Sequence, residues 1–190
     1  MRKFEMKKEM VLGPNYGQYS GQKLYELLSE ETLKQRVREI GKLISKDYSD
    51  KTPVFIGVLN GSFIFFSDLL REIDIDGEVD FIKIWSYADE TKTSGSVKLI
   101  KDVSCNISGR DVIVVEDIVD SGISMKYLKN RFEDSNARSV RFVALLIKES
   151  TKIDFTLDYI GFTIPDKFVV GYGLDLAQKL RNLKSIYAFK

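Results

Sequence analysis

The feature that most constrains the fold is the stretch from residue 112 to residue 124, which reads VIVVEDIVDSGIS. It opens with four consecutive β-branched residues, and the turn signal Ser108-Gly109-Arg110-Asp111 precedes them. An uninterrupted apolar run of this kind is typical of a parallel strand covered on both faces. Because open α/β sheets bind ligands at the carboxyl ends of their strands, the acids that end this run predict a ligand site there.

The residues after this strand predict a phosphate site. Asp120-Ser121-Gly122-Ile123-Ser124 supplies a flexible glycine, two hydroxyls and a run of backbone N–H groups just before a helical pattern at residues 125–132. Such N–H groups, with the positive end of the helix dipole behind them, favour a dianionic phosphate. In the plain alternative, this is a surface loop whose Ser121 or Ser124 only caps the next helix.

The acids Glu116 and Asp117 narrow the choice of ligand. Their carboxylates would repel a bare phosphate, so we expect them to accept hydrogen bonds from sugar hydroxyls or to act through Mg²⁺, which prefers hard oxygen ligands. A phosphorylated ribose satisfies both the acids and the loop that follows them.

Composition excludes several other classes of function. The 190 residues are enough for one domain with a substantial core, and 29 basic against 28 acidic residues leave a net charge of only +1, so no general attraction to nucleic acid or membrane is expected. The chain has no histidine, which excludes a histidine base, and its single cysteine, Cys105, cannot form an internal disulfide. No signal peptide and no apolar run of about 18 residues is recognisable, so the cytoplasm is the expected location.

Two further patterns predict the scaffold. A helix is expected after Ser29, with its apolar face formed by Leu33, Val37, Ile40 and Ile44. Residues 53–59 predict a second buried strand, which Asn60-Gly61 ends before an apolar helix at residues 62–70. A strand-turn-helix unit again places N–H groups at the carboxyl edge of a sheet, although Asn-Gly could also be a plain turn.

The remaining strands bring two more candidate features. Residues 78–86 and 97–100 predict a pair of strands, and the polar residues between them form either an ordinary exposed connection or a lid. Residues 139–147 predict another apolar strand, which ends at Lys148. Taken alone, Lys148 could simply extend from the strand end into solvent.

Two segments carry a resemblance to a known family. Residues 114–124, VVEDIVDSGIS, resemble the phosphoribosyl pyrophosphate (PRPP) motif of the type I phosphoribosyltransferases, which combines an apolar strand, paired acids, a third acid and a hydroxyl-glycine loop in fixed order. The tail at residues 158–175, DYIGFTIPDKFVVGYGLD, resembles the segment with which the hypoxanthine-guanine members hold the base. A structural hairpin with core aromatics is the alternative for this tail. The resemblance spans roughly residues 25 to 190.

The resemblance implies a role for each matching residue. Asp120 would be the catalytic base, and the ribose phosphate would be held by Glu116, Asp117, Asp120, Ser121, Gly122, Ile123 and Ser124. Pyrophosphate would be bound by Asn60, Gly61 and Arg181, although the family commonly has lysine at the position of Asn60. The purine would be bound by Lys148, Phe168, Val169 and Asp175, and Mg²⁺ by Glu116, Asp117 and Asp175. Ser86-Tyr87 would begin a flexible catalytic loop.

These expectations combine into one prediction. The fold is α/β, with a mostly parallel twisted sheet flanked by helices, in a single domain whose small hood comes from the N-terminal segment and residues from about 150 to 190. The implied reaction is Mg²⁺-dependent transfer of 5-phosphoribosyl from PRPP to hypoxanthine or guanine, giving IMP or GMP and pyrophosphate in purine salvage, by a homodimer or homotetramer.

Two rival functions remain open. A regulator that senses PRPP and binds nucleic acid would need a basic face, and the chain is close to neutral. A xanthine- or adenine-preferring enzyme is disfavoured by Lys148 and by the tail around Val169.

Overall fold

The computed structural model describes residues 8–87 and 96–190. The α-helices there are α1 (Glu30–Asp47), α2 (Phe63–Arg71) and α3 (Ile123–Asp134), and a 3₁₀ helix covers Pro14–Tyr19. The strands are β1 (Glu9–Val11), β2 (Lys23–Leu28), β3 (Val54–Leu59), β4 (Glu78–Tyr87), β5 (Ser96–Lys101), β6 (Asp111–Val119), β7 (Ser139–Lys148), β8 (Tyr159–Ile164), β9 (Val169–Val170) and β10 (Ile186–Phe189). No helix in these two ranges is both long enough and apolar enough to span a membrane.

The main sheet has six strands in the order β5-β4-β3-β6-β7-β8. The strands β4, β3, β6, β7 and β8 lie side by side in this order and pair in parallel. The strand β5 pairs antiparallel with β4 at one edge. The predicted run Val112–Val115 lies in β6, near the middle of the sheet, and is fully buried. This arrangement confirms the predicted α/β class, because a strand that is apolar on both faces requires helices on both faces of its sheet.

The strand β6 is longer than its apolar run predicts. The prediction that the strand ends before the acids is wrong, since parallel pairing with β7 continues through Ile118 and Val119. Glu116 and Asp117 are therefore strand residues and are buried. Because side chains alternate along a strand, these two carboxylates lie on opposite faces of the sheet.

The chain forms two compact units. The larger unit, Val37–Asp166, contains the six-stranded sheet. Its main core packs β-branched strand residues against the buried face of α3, which includes Met125, Leu128 and Phe132. The predicted apolar face of α1 is also buried at all four positions, which are Leu33, Val37, Ile40 and Ile44.

The smaller unit combines the residues up to Arg36 with Lys167–Lys190. Its four-stranded sheet has the order β1-β2-β10-β9, and its core contains Leu24, Val170 and Leu176. The strands β2 and β10 were not predicted, because their pairing joins residues from opposite ends of the chain, such as Leu24 with Phe189. The 3₁₀ helix Pro14–Tyr19 also belongs to this unit. Organisation as one domain with a hood stays a prediction.

Candidate active site

A pocket of about 440 Å³ lies at the carboxyl end of β6. Its lining is continuous from Glu116 to Met125, so it contains every residue predicted to hold ribose phosphate: Glu116, Asp117, Asp120, Ser121, Gly122, Ile123 and Ser124. Ile118, Val119 and Met125 also line it, and none of the three was a predicted site residue. The structure thus gathers the predicted ribose-phosphate residues in one cavity of the larger unit.

The phosphate loop, residues 120–124, depends on its glycine. Gly122 has a φ of 75°, in the left-handed region, and a Cβ added there would lie 2.5 Å from Cγ2 of Ile153. Both its conformation and the close approach of Ile153 therefore require glycine. Within the described part of the chain, Gly122 occupies the N-cap position of α3 and the helix has no side-chain capping hydrogen bond. Ser121 Oγ lies 3.5 Å from the Ile123 nitrogen, which is too long for a strong cap.

The carboxylate of Glu116 is buried beside the phosphate pocket. Its Oε2 atom is fully buried and has no hydrogen-bond partner among residues 8–87 and 96–190. Burial, and then the negative charge of Asp117, raise the pKa of Glu116 well above its usual range. The charged form of Glu116 is therefore disfavoured relative to that of an exposed glutamate.

The turn after β3 packs directly against Asp117. A Cβ added to Gly61 would lie 1.7 Å from Oδ2 of Asp117, so only glycine leaves room for this carboxylate. The turn is held by Ser62, whose buried hydroxyl donates to the Val58 carbonyl oxygen at 2.5 Å, and its Leu59–Asn60 peptide is cis. The Asn60-Gly61 turn, the predicted pyrophosphate segment, therefore lies beside a predicted ribose acid.

Lys148 is paired with Asp120. Its Nζ donates to Oδ2 of Asp120 at 3.0 Å, and the Lys148 side chain is only 16% exposed, whereas that of Asp120 is 65% exposed. The lysine therefore turns toward the phosphate loop and does not extend into solvent. Asp120, the predicted base, and Lys148, a predicted purine-binding residue, are therefore in contact.

The turn after β7 also contacts the loop through Thr151, a residue that the sequence patterns missed. The Thr151 hydroxyl lies 2.6 Å from the Asp120 carbonyl oxygen and 3.1 Å from that of Val119. No local signal could have identified this contact, because a threonine in a polar turn is an ordinary surface residue.

The smaller unit contains the other predicted purine residues. Phe168 is 55% exposed and contacts Phe189 edge-on, with ring centroids 5.7 Å apart, while Val169 is buried in β9. Arg181 pairs with Asp175 at 2.7 Å and also donates to the Gly173 carbonyl oxygen at 2.7 Å. The hairpin alternative for the tail is wrong, because β8 pairs in parallel with β7 and β9 pairs with β10.

The predicted flexible loop falls mostly outside the described residues. Ser86 and Tyr87 end β4, where their backbones pair with Val97 and Ser96. The side chains of Ser86 and Tyr87, and all of residues 88–95, lie outside the part of the chain that the structure describes.

The predicted magnesium ligands fit a metal that arrives with a phosphorylated substrate. Within residues 8–87 and 96–190, no three acidic, cysteine or histidine side chains form a group that could hold a metal. Mg²⁺ usually takes one or two protein carboxylates and completes its shell with substrate phosphates and water. Glu116 and Asp117 both line the phosphate pocket, and the Asp117 carboxylate also lies against the turn at Gly61, so these acids are placed for that partial role.

Comparison with known proteins agrees with this geometry. The phosphoribosyl transferase domain model matches residues 24–177. The hypoxanthine-guanine phosphoribosyltransferase of Bacillus subtilis (strain 168) is 44% identical over 165 residues, which make up 86% of this chain and 92% of that protein.

Solved structures give the same result. A hypoxanthine-guanine phosphoribosyltransferase from Bacillus anthracis, crystallised with a HEPES molecule in its active site, is 46% identical with a TM-score of 0.82 and is matched over 86% of this chain and 96% of its own. A hypoxanthine phosphoribosyltransferase from Staphylococcus aureus is 38% identical with a TM-score of 0.82, over 87% and 90% of the two chains. The predicted resemblance is therefore confirmed, and the chain belongs to the phosphoribosyl transferase domain family, among its hypoxanthine-guanine phosphoribosyltransferases.

Proposed function

We propose that this protein is a purine-salvage enzyme that transfers 5-phosphoribosyl from PRPP to hypoxanthine or guanine. The observation that carries the proposal is the pair formed by Lys148 and Asp120 at the rim of the phosphate pocket. A loop that binds phosphate would serve any phosphoribosyltransferase. A half-buried lysine beside the loop's acid adds a donor that suits the 6-oxo group of a purine.

Each part of PRPP has candidate binding residues in this chain. The N–H groups of residues 121–124 would bind the 5-phosphate at the start of α3. Asp117 would accept hydrogen bonds from the ribose hydroxyls, and the backbone at Asn60-Gly61 would hold pyrophosphate, with Arg181 providing a planar fork for its oxygens. Glu116, which also lines the pocket, would share the sugar site.

The reaction breaks the bond from the anomeric carbon to pyrophosphate and forms a bond from that carbon to a purine ring nitrogen. Positive charge develops on the ribose and is stabilised by nearby carboxylates. Asp120 would accept the proton that leaves purine N7. Bound Mg²⁺ would neutralise charge on the departing pyrophosphate, and the resemblance gives Glu116, Asp117 and Asp175 as the acids that would hold it.

Recognition of the base would use both charged and aromatic groups. Lysine carries three donors, so Lys148 can donate to the 6-oxo group while it retains its contact with Asp120. Phe168 has an exposed ring face that would stack on the purine, next to polar backbone at Val169 and the acid Asp175.

The proposal also covers the location, the oligomeric state and the partners of the enzyme. We place the enzyme in the cytoplasm, acting on small molecules as a homodimer or homotetramer, without a nucleic-acid partner. The alternative, a PRPP-sensing regulator, would need a concentrated basic surface for nucleic acid, and no observation favours it.

Initial rates with hypoxanthine, guanine, xanthine and adenine, each with PRPP and Mg²⁺, test the proposal. We expect turnover of hypoxanthine and guanine and none of adenine, because an amino group at C6 offers Lys148 no acceptor. Turnover of adenine alone, or PRPP-dependent nucleic-acid binding without any turnover, would show that the assignment is wrong.

Asp117→Asn tests the sugar role. We expect PRPP binding to weaken about tenfold, because a neutral amide accepts hydrogen bonds from hydroxyls less strongly than a carboxylate. The melting temperature should stay constant or rise, since the substitution removes the like charge beside Glu116. Calorimetric titration with PRPP and thermal melting of the unliganded protein measure the two effects. A large fall in melting temperature with unchanged PRPP affinity would instead make Asp117 a structural residue.

A further inference from the structure

We propose that Thr151 is a positioning residue for the phosphate loop, so that its hydroxyl sets how tightly the protein binds the 5-phosphate of ribose. The inference rests on the proposed function, because it assumes that residues 120–124 bind this phosphate. It concerns a residue outside the PRPP motif, in the turn that follows β7.

The first observation is the position of the Thr151 hydroxyl. It lies 2.6 Å from the carbonyl oxygen of Asp120 and 3.1 Å from that of Val119. A hydroxyl has one proton, so it donates mainly to the nearer oxygen, that of Asp120. This is the carbonyl of the residue at which β6 gives way to the phosphate loop.

The second observation is that this contact closes a ring of hydrogen bonds. The Thr151 N–H donates to the Lys148 carbonyl oxygen at 3.1 Å, and Lys148 Nζ donates to Oδ2 of Asp120 at 3.0 Å. Backbone and side chain of Asp120 are therefore both tied to the same four-residue turn. Loss of the hydroxyl would leave Asp120 attached to this turn through its side chain alone.

The third observation is a contact two residues further along. Cγ2 of Ile153 occupies the space beside Gly122 that a Cβ would need, at 2.5 Å from that hypothetical atom. Residues 151–153, which we call the buttress, thus support the loop at its entry and at the start of α3. Such support matters because the loop binds phosphate with several backbone N–H groups, whose directions all change if the entry peptide rotates.

The hydrogen bond from the Thr151 hydroxyl should affect the geometry of the phosphate loop more than the free energy of unfolding. The Asp120 carbonyl is exposed enough for water to replace a lost hydroxyl, so the cost to folding should be small. Water would not hold the carbonyl at a fixed angle, however, and the geometry of the loop would become less defined.

Thr151→Val tests the proposal, because valine keeps the shape of threonine and removes only the hydroxyl. We expect the affinity for ribose 5-phosphate, measured by calorimetric titration, to fall about tenfold, and the KM for PRPP to rise similarly with little change in kcat. Thr151→Ser, which restores the hydroxyl, should return the affinity to within about twofold of the parent value. Thr156→Val is the matched control: Thr156 lies in the same segment, is exposed, and makes no hydrogen bond to the described residues.

The outcomes separate this inference from the proposed function. Unchanged ribose 5-phosphate affinity in Thr151→Val would overturn it, and so would a lower melting temperature without a change in affinity. A parent protein that converts no purine but loses ribose 5-phosphate affinity in Thr151→Val would refute the proposed function and support the buttress. If the parent converts hypoxanthine and Thr151→Val binds ribose 5-phosphate and reacts identically, the proposed function is supported and the role of the buttress is refuted.

Discussion

Asp120→Asn should lower kcat by about 10²–10⁴ while the KM for PRPP changes little, because general-base catalysis contributes that much to many enzymes. The amide keeps the size of the carboxylate, but it cannot accept the purine proton in the same way. An interaction made mainly in the transition state affects kcat more than ground-state binding. Folding should be almost unaffected, since the Asp120 side chain is 65% exposed and its ion pair with Lys148 contributes little.

Single-turnover kinetics is the measurement of choice for Asp120→Asn, since slow product release can hide a chemical defect in steady state. Asp154→Asn is the matched control. Asp154 is also 65% exposed and also forms an ion pair with a lysine, Lys126, at 2.5 Å. We expect the control to turn over as the parent does. A chemical step that is equally fast in Asp120→Asn and the parent would show that Asp120 is not the base.

Lys148→Ala should selectively reduce the use of 6-oxopurines. A buried polar group that loses its partner costs about 1–3 kcal/mol, so kcat/KM for hypoxanthine and guanine should fall by about 5- to 150-fold. PRPP binding should persist, because the loop's N–H groups remain in place. Initial rates with both bases and calorimetric titration with PRPP measure the two effects.

Two companion variants sharpen the test of Lys148. Lys42→Ala removes an exposed lysine from α1 and should leave base selectivity unchanged. The double variant Asp120→Asn/Lys148→Ala measures coupling between the two residues, which we expect because they are in contact. Unchanged kinetics with both 6-oxopurines in Lys148→Ala would show that Lys148 does not recognise the 6-oxo group of the purine.

The sequence determined five of the six strands of the main sheet, all but β8, because their signals are local. Val112–Val115 is apolar without interruption, which only a doubly covered strand accommodates, and Gly122 follows at the point where the chain needs a left-handed residue. The periodic residues of α1 likewise predicted its buried face. Fold class, family and the location of the phosphate pocket could therefore be predicted from the order of the residues.

The sequence patterns failed where pairing is remote. The strands β2 and β10 form only because residues near the two ends of the chain pair with each other. The end of β6 was placed too early, because neighbouring acids usually mark a strand end, whereas pairing with β7 extends this strand past them.

Only the tertiary structure decided the relations within the site. It placed Glu116 and Asp117 on opposite faces of a strand, it placed Gly61 against the Asp117 carboxylate, and it paired Lys148 with Asp120. Thr151 entered the site in the same way. Residue types and their local order specify strands, turns and helix starts. Hydrogen bonds and contacts between side chains about 30 to 60 positions apart depend on how those elements align in the sheet, and no local pattern records that alignment.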